Sequence, residues 1–145
     1  MLFRSTLAVM HEILDLGPTL GLYPESLDKI KPVLNNCLAS IENCQKAGVK
    51  LGLGTDIFGA EHHHLQSREF VYRSEVSKPI DILRSATSIN AEIAQLQGQV
   101  GVVAEGAFAD LIALDGNPLK NLELFQDPGK MPMIMKGGHL HRNNL

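Results

Sequence analysis

The residue best placed to do chemistry in this sequence is Asp56, which ends the run Val49-Lys50-Leu51-Gly52-Leu53-Gly54-Thr55-Asp56. The run alternates with period two, the pattern of a β-strand. Val49, Leu51 and Leu53 are expected to face one way, and Lys50, Gly52, Gly54 and Asp56 the other. A carboxylate at the end of such a strand can ligate a divalent metal or accept a proton from metal-bound water. An ordinary strand closed by a Thr-Asp turn fits the same local pattern, because Asp is a common turn former. One loop further on lie His62, His63 and His64. Imidazoles at that position can contact a substrate, although three consecutive histidines cannot all face one pocket, and a solvated loop is the alternative. His139-x-His141 also has the spacing of two metal ligands on one strand face. It follows a Gly-Gly turn near the terminus, so an exposed edge is the expected reading. Asp110 and Asp115 read as turn and strand-end residues.

The elements around these residues follow from periodicity. Ser5 to Leu16 reads as a helix capped by Ser5 and stopped at Gly17-Pro18, and Thr19 to Pro24 as a loop. A second helix is expected to open at Ser26, with Leu27, Ile30, Leu34, Cys37, Leu38 and Ile41 at helical spacing. Pro32 should kink or split it, and Gly48 should stop it. Helical pattern returns from Gln66 to Val76. It resumes at Pro79, with Ile82, Leu83, Ala86, Ile89, Ile93 and Leu96 as a buried stripe. Beyond Gly98 the character is β-rich: Gln99 to Val103, Phe108 to Asp115 and Met131 to Met135 read as short strands. Asp115-Gly116-Asn117-Pro118 is a turn, and Lys136-Gly137-Gly138-His139 a tight hairpin.

Composition narrows the classes. The chain has 145 residues, 44% of them hydrophobic, and a formal net charge of −3. That suits one ordinary core and shows no basic stripe for nucleic acid. No apolar run approaches the roughly 20 residues of a membrane span. The first residues are interrupted by His11, Glu12 and Asp15, which argues against a signal peptide. Cys37 and Cys44 lie about two helical turns apart, roughly 10 Å, too far for a disulfide. They are expected to be packing residues, and a reduced, cytoplasmic setting is the expectation.

A strand flanked by helices, with its carboxylate at the C-terminal end, fits a (β/α)₈ barrel, where catalytic groups collect at that edge. Gly48 to Asp56 resembles the eighth barrel strand of the amidohydrolase superfamily. Ile82-Leu83-Arg84-Ser85-Ala86-Thr87-Ser88-Ile89-Asn90-Ala91 is similar to the helix that follows barrel closure in that family. Gly101 to Leu119 resembles the segment returning to its small β-sandwich, and Ile134-Met135-Lys136-Gly137-Gly138-His139-Leu140 the closing hairpin. The nearest branch is imidazolonepropionase-like and prolidase-like. The resemblance implies an α/β chain, the C-terminal portion of a TIM barrel over residues 1–98 followed by strands of a small β-sandwich over 99–145. It also implies a hydrolase for C–N bonds of small amides or dipeptides, with a divalent metal, zinc first, as cofactor.

Asp56 would be both metal ligand and catalytic carboxylate, with His62 and His64 as substrate contacts. In the family the remaining ligands are a His-x-His pair on the first strand, a Lys or carboxylate on the fourth, and histidines on the fifth and sixth. This chain begins after those strands. It is therefore expected to be a fragment inactive alone, whose unpaired strand edges favour self-association. A non-catalytic folding or subunit-contact module is the alternative.

Overall fold

The computed structural model describes residues 2–19 and 21–145. Met1 lies outside them, as does Leu20 within the loop read over Thr19 to Pro24. The chain opens on a strand, β1 (Leu2–Ser5), then a short helix α1 (Ala8–Leu16) and a long helix α2 (Pro24–Lys46). Strand β2 (Lys50–Leu53) follows and pairs in parallel with β1, from Leu2↔Lys50 to Ser5↔Leu53. Parallel neighbours need a crossover, and α1 and α2 provide it.

Ser5 does not cap a helix but ends β1, and α1 starts three residues later with Leu7 at its N-cap and no side-chain cap from its own neighbours. The second helix starts at Pro24 rather than Ser26, which places the proline ring in the first turn where its missing N–H costs nothing. Pro32 does not split α2, which runs unbroken through it. The helix ends as expected before Gly48, where the Val49 N–H reaches back to the Cys44 carbonyl.

Leu7, Ile41 and Leu51 form the centre of the core, each at most 4% exposed. Leu34, Cys37, Leu38 and Cys44 of α2 pack against it, with Tyr72 and Val76. Both cysteines are free thiols, and they pack as the helix-face reading requires. Burial of side chains this size stabilises by roughly 1.5–3 kcal/mol each. On the other face of β2, Gly52 is indeed crowded: a Cβ there would meet the Ile93 methyl at 2.4 Å and the Asn90 amide oxygen at 2.5 Å. The crowding comes from a helix of this chain.

After β2 a 3₁₀ turn (Ala60–Leu65) carries the histidines, and α3 (Arg68–Arg73) follows. Helix α4 (Pro79–Arg84), a π-helical turn (Ser85–Ile89) and α5 (Asn90–Ile93) run on without a break. Ile82 and Ala91 are buried along this segment, whereas Leu96, expected in the stripe, is exposed. The stretch Gln99 to Val103 is not a strand. The Gln99 and Val100 N–H groups turn back to the Leu96 carbonyl, which leaves only an isolated bridge, Gln97↔Val100.

The tail is a three-stranded antiparallel sheet in the order β3 (Leu111–Ala113), β4 (Met133–Lys136), β5 (His139–Asn143). The hairpin is where the sequence puts it, with Lys136 paired to His139 across Gly137-Gly138. Both glycines have positive φ, 56° and 81°. That is the two-residue turn whose twist matches the strands, and glycine adopts it without steric cost. Phe70 of α3 stacks on Phe125 of a 3₁₀ turn (Leu122–Phe125), with centroids 4.3 Å apart, and so ties the tail to the helical half.

Candidate functional site

Asp56 lies three residues beyond β2, where the chain leaves the C-terminal end of a parallel strand pair. The Gly54 N–H donates to the Ser5 carbonyl at 3.1 Å, so the two strand ends are still joined here. The Val9 N–H donates to the Thr55 carbonyl at 3.3 Å. Asp56 itself has φ +54° and is exposed. A non-glycine residue with positive φ is uncommon, and Asp is among the types that tolerate it. The expectation that Asp56 continues the inner face of Lys50, Gly52 and Gly54 is thereby corrected. The pleat stops at Leu53, and the left-handed turn, not strand alternation, sets the orientation of Asp56.

What fixes this edge is a set of buried charges. Glu69 of α3 is fully buried, and its Oε2 accepts from the backbone N–H of both Leu7 and Ala8 at 2.7 Å. It thus supplies from a distance the cap that α1 lacks, with its acid at the end of the helix that favours negative charge. Arg73, one turn further along α3 and 1% exposed, donates from Nη1 to the Gly52 carbonyl at 3.0 Å. One face of α3 therefore grips the chain after β1 and the backbone of β2 together. Burial pushes the Glu69 carboxyl up to about 7, against the opposing pull of the Ala8 and Leu7 N–H bonds and the Arg73 charge. Burial likewise lowers the pKa of Arg73, with Glu69 acting in the other direction.

The histidine turn divides. His62 faces inward, its Nδ1 3.4 Å from Oε1 of Glu12, a buried carboxylate on α1 with a side-chain exposure of 2%. Its Nε2 lies 3.6 Å from Glu61, and its ring meets Phe58 edge-on. The 3.4 Å approach is an ion pair when His62 is protonated but not a well-formed hydrogen bond, so both Glu12 oxygens lack a hydrogen-bond partner among the described residues. His63 and His64 are exposed, and the His64 Nδ1 lies 2.8 Å from the Glu61 carbonyl. Glu12, Glu69 and Arg73 are not marked by any sequence pattern, because each reads as a charge on the polar side of a helix.

The other histidine pair, His139 and His141, is exposed on β5. Asp110 accepts from the Gly137 N–H at 2.7 Å and so braces the hairpin, and Asp115 pairs with Lys130 at 2.9 Å. Among the described residues no group of three or more His, Cys, Asp or Glu side chains is placed to hold a metal ion. A hydrolytic zinc site normally has three protein ligands. The residues described do not by themselves fit such a group, and Asp56 can supply at most one of its ligands.

Parallel strands joined through crossover helices, a carboxylate just beyond their C-terminal edge and an antiparallel β tail form part of a TIM-barrel fold. The sequence signature of the Amidohydrolase family matches residues 8–140, and the chain belongs to that family. Its sequence is 34% identical over 127 residues to ochratoxinase of Aspergillus niger, a match that covers 84% of this chain and 25% of that protein. A crystal structure of an amidohydrolase superposes with a TM-score of 0.90 at 39% identity, over 99% of this chain and 35% of that one. A prolidase crystallised with N-methylphosphonate-L-proline superposes with a TM-score of 0.86 at 40% identity, over 97% of this chain and 34% of the other. The chain thus spans a quarter of the curated relatives it matches and about a third of these solved chains.

Proposed function

We propose that this protein takes part in the hydrolysis of C–N bonds in small amides or dipeptides, and that Asp56 is the carboxylate it brings to the reaction. The observation that carries this reading is the left-handed Asp56 just beyond the C-terminal end of a parallel strand. Residues held in such conformations recur at active sites. The relatives point the same way: one is an ochratoxinase, and another was crystallised as a prolidase with a proline analogue. In this reading the cofactor is a divalent metal, zinc first, with its remaining ligands outside the described residues. The task of this chain is to position one carboxylate, with His62, and His64 beside it, facing the substrate.

The test uses the longest reading frame that contains this chain, assayed with zinc on dipeptides ending in proline and on N-acyl amino acids. Asp56→Asn should lower kcat by about 10²–10⁴-fold, the range for loss of a positioned acid–base group, without changing the unfolding temperature. A variant with undiminished kcat overturns the reading.

A second reading has its own support. With a parallel sheet of only two strands, whose edges are open to pairing, the chain also suits a non-catalytic folding or subunit-contact module. That reading requires self-association through the strand edges. Light scattering tests it: a strict monomer speaks against the module, and a stable dimer indifferent to Asp56→Asn favours it.

A further inference from the structure

Glu12 on α1 is a carboxylate without a settled partner. It is 3% exposed, and neither of its oxygens has a hydrogen-bond partner among the described residues. Burying such a group without donors is costly, so the side chain that faces it matters. That side chain is His62, whose Nδ1 lies 3.4 Å from Glu12 Oε1. The start of α1 is tied to the residue before Asp56, because the Val9 N–H donates to the Thr55 carbonyl at 3.3 Å. Phe58 meets the His62 ring edge-on, with centroids 6.4 Å apart. The imidazole therefore lies between the helix that follows β1 and the loop that follows β2, at the same end of the strand pair as Asp56.

Two carboxylates compete for the ring proton of His62. Glu61 lies 3.6 Å from Nε2, but its side chain is 71% exposed and solvent screens its charge. The Glu12 side chain is buried, and the same charge acts there with far less screening. The proton of a neutral ring therefore belongs on Nδ1. A shift of roughly 0.3–0.5 Å turns the approach into a hydrogen bond, and contacts of this kind tighten when a site fills.

We propose that Glu12 is the positioning residue for His62: its buried carboxylate holds the imidazole in the Nδ1–H form and leaves Nε2 to accept a hydrogen bond from the substrate. The hydrogen bond made by one ring nitrogen sets the role of the other. The proposal rests on the reading of His62 as a substrate contact.

The experiment is ¹⁵N NMR of the chain labelled at histidine, at about pH 9, where histidine side chains are neutral. The His62 ring signals are identified by their loss in His62→Gln. The ring should be in the Nδ1–H form, and Glu12→Leu should return it to the Nε2–H form that free neutral histidine prefers. An Nε2–H ring in the unaltered chain, a result that needs no variant to fold, would overturn the proposal. So would an Nδ1–H ring that survives Glu12→Leu. In the longest reading frame that contains this chain, Glu12→Leu should lower kcat/KM several-fold on the same amide substrates, yet cost nothing further in a His62→Gln background. An equal loss in both backgrounds would make Glu12 a purely structural residue and contradict the assignment. Failure of the hydrolytic reading is seen separately, as an undiminished kcat in Asp56→Asn.

Discussion

The parallel pair β1–β2 and the antiparallel sheet β3–β4–β5 are both small, yet they are held in opposite ways. The parallel strands meet across two intervening helices, and buried charges secure the meeting: Glu69 on Leu7 and Ala8, and Arg73 on Gly52. The antiparallel strands are secured by local chemistry. A Gly-Gly turn fixes the pairing of β4 and β5 as far as Met135↔Leu140, where a bulge shifts the register, Asp110 braces that turn, and the Asp115–Lys130 pair is exposed. A strand pair with a distant partner relies on interactions that are lost together, while a hairpin carries its instructions in four residues.

This contrast predicts a graded set of effects. The largest is at Glu69. Glu69→Ala leaves two buried N–H groups without an acceptor, at about 1–3 kcal/mol each, so chemical denaturation should show a loss of about 2–6 kcal/mol. Glu69→Gln keeps a carbonyl acceptor and should recover much of it. Next comes pH. The folded-state pKa of Glu69 is raised to about 7, so the folded protein holds its proton more tightly than the unfolded chain. Its contribution is complete below the ordinary carboxylate range and is lost as pH rises toward and through 7. Stability should therefore fall between pH 5 and pH 8, by at most about 3 kcal/mol, and Glu69→Gln should flatten the slope. His11, stacked on Tyr72 and lowered by burial, acts in the other direction, since stability is lost as pH falls and it must charge. His11→Gln should separate the two.

In the tail the effects should be smaller. Gly137→Val forces a β-branched residue to positive φ and should cost about 1–2 kcal/mol, read as a lower midpoint of unfolding. Asp115→Asn should leave the midpoint unchanged within error, since exposed ion pairs contribute little. A larger loss at Asp115 than at Glu69 would invert the comparison.

The same difference explains what could be read from the sequence. The hairpin, the start of α4 at Pro79 and the β2 alternation were legible because each depends on neighbours within a few residues. Strand β1 was not, because Leu2–Ser5 is short and is defined by a partner beyond α2, and its last residue, Ser5, reads as the cap of the helical periodicity that follows. Gln99 to Val103 has strand-forming residues, but a helical turn anchored on Leu96 takes its N–H groups. At the candidate site, Asp56 was visible as a carboxylate closing a strand. Its left-handed turn was not visible, nor were the buried Glu12, Glu69 and Arg73, whose roles depend on which helix faces are covered.

The most direct test of the account is a calorimetric zinc titration of the chain against Asp56→Asn. If Asp56 is one ligand of a site whose others lie elsewhere, the two proteins will bind zinc equally weakly, with any residual binding due to the histidine turn. Tight stoichiometric binding by the chain that Asp56→Asn abolishes would show a complete metal site within these residues and contradict the account.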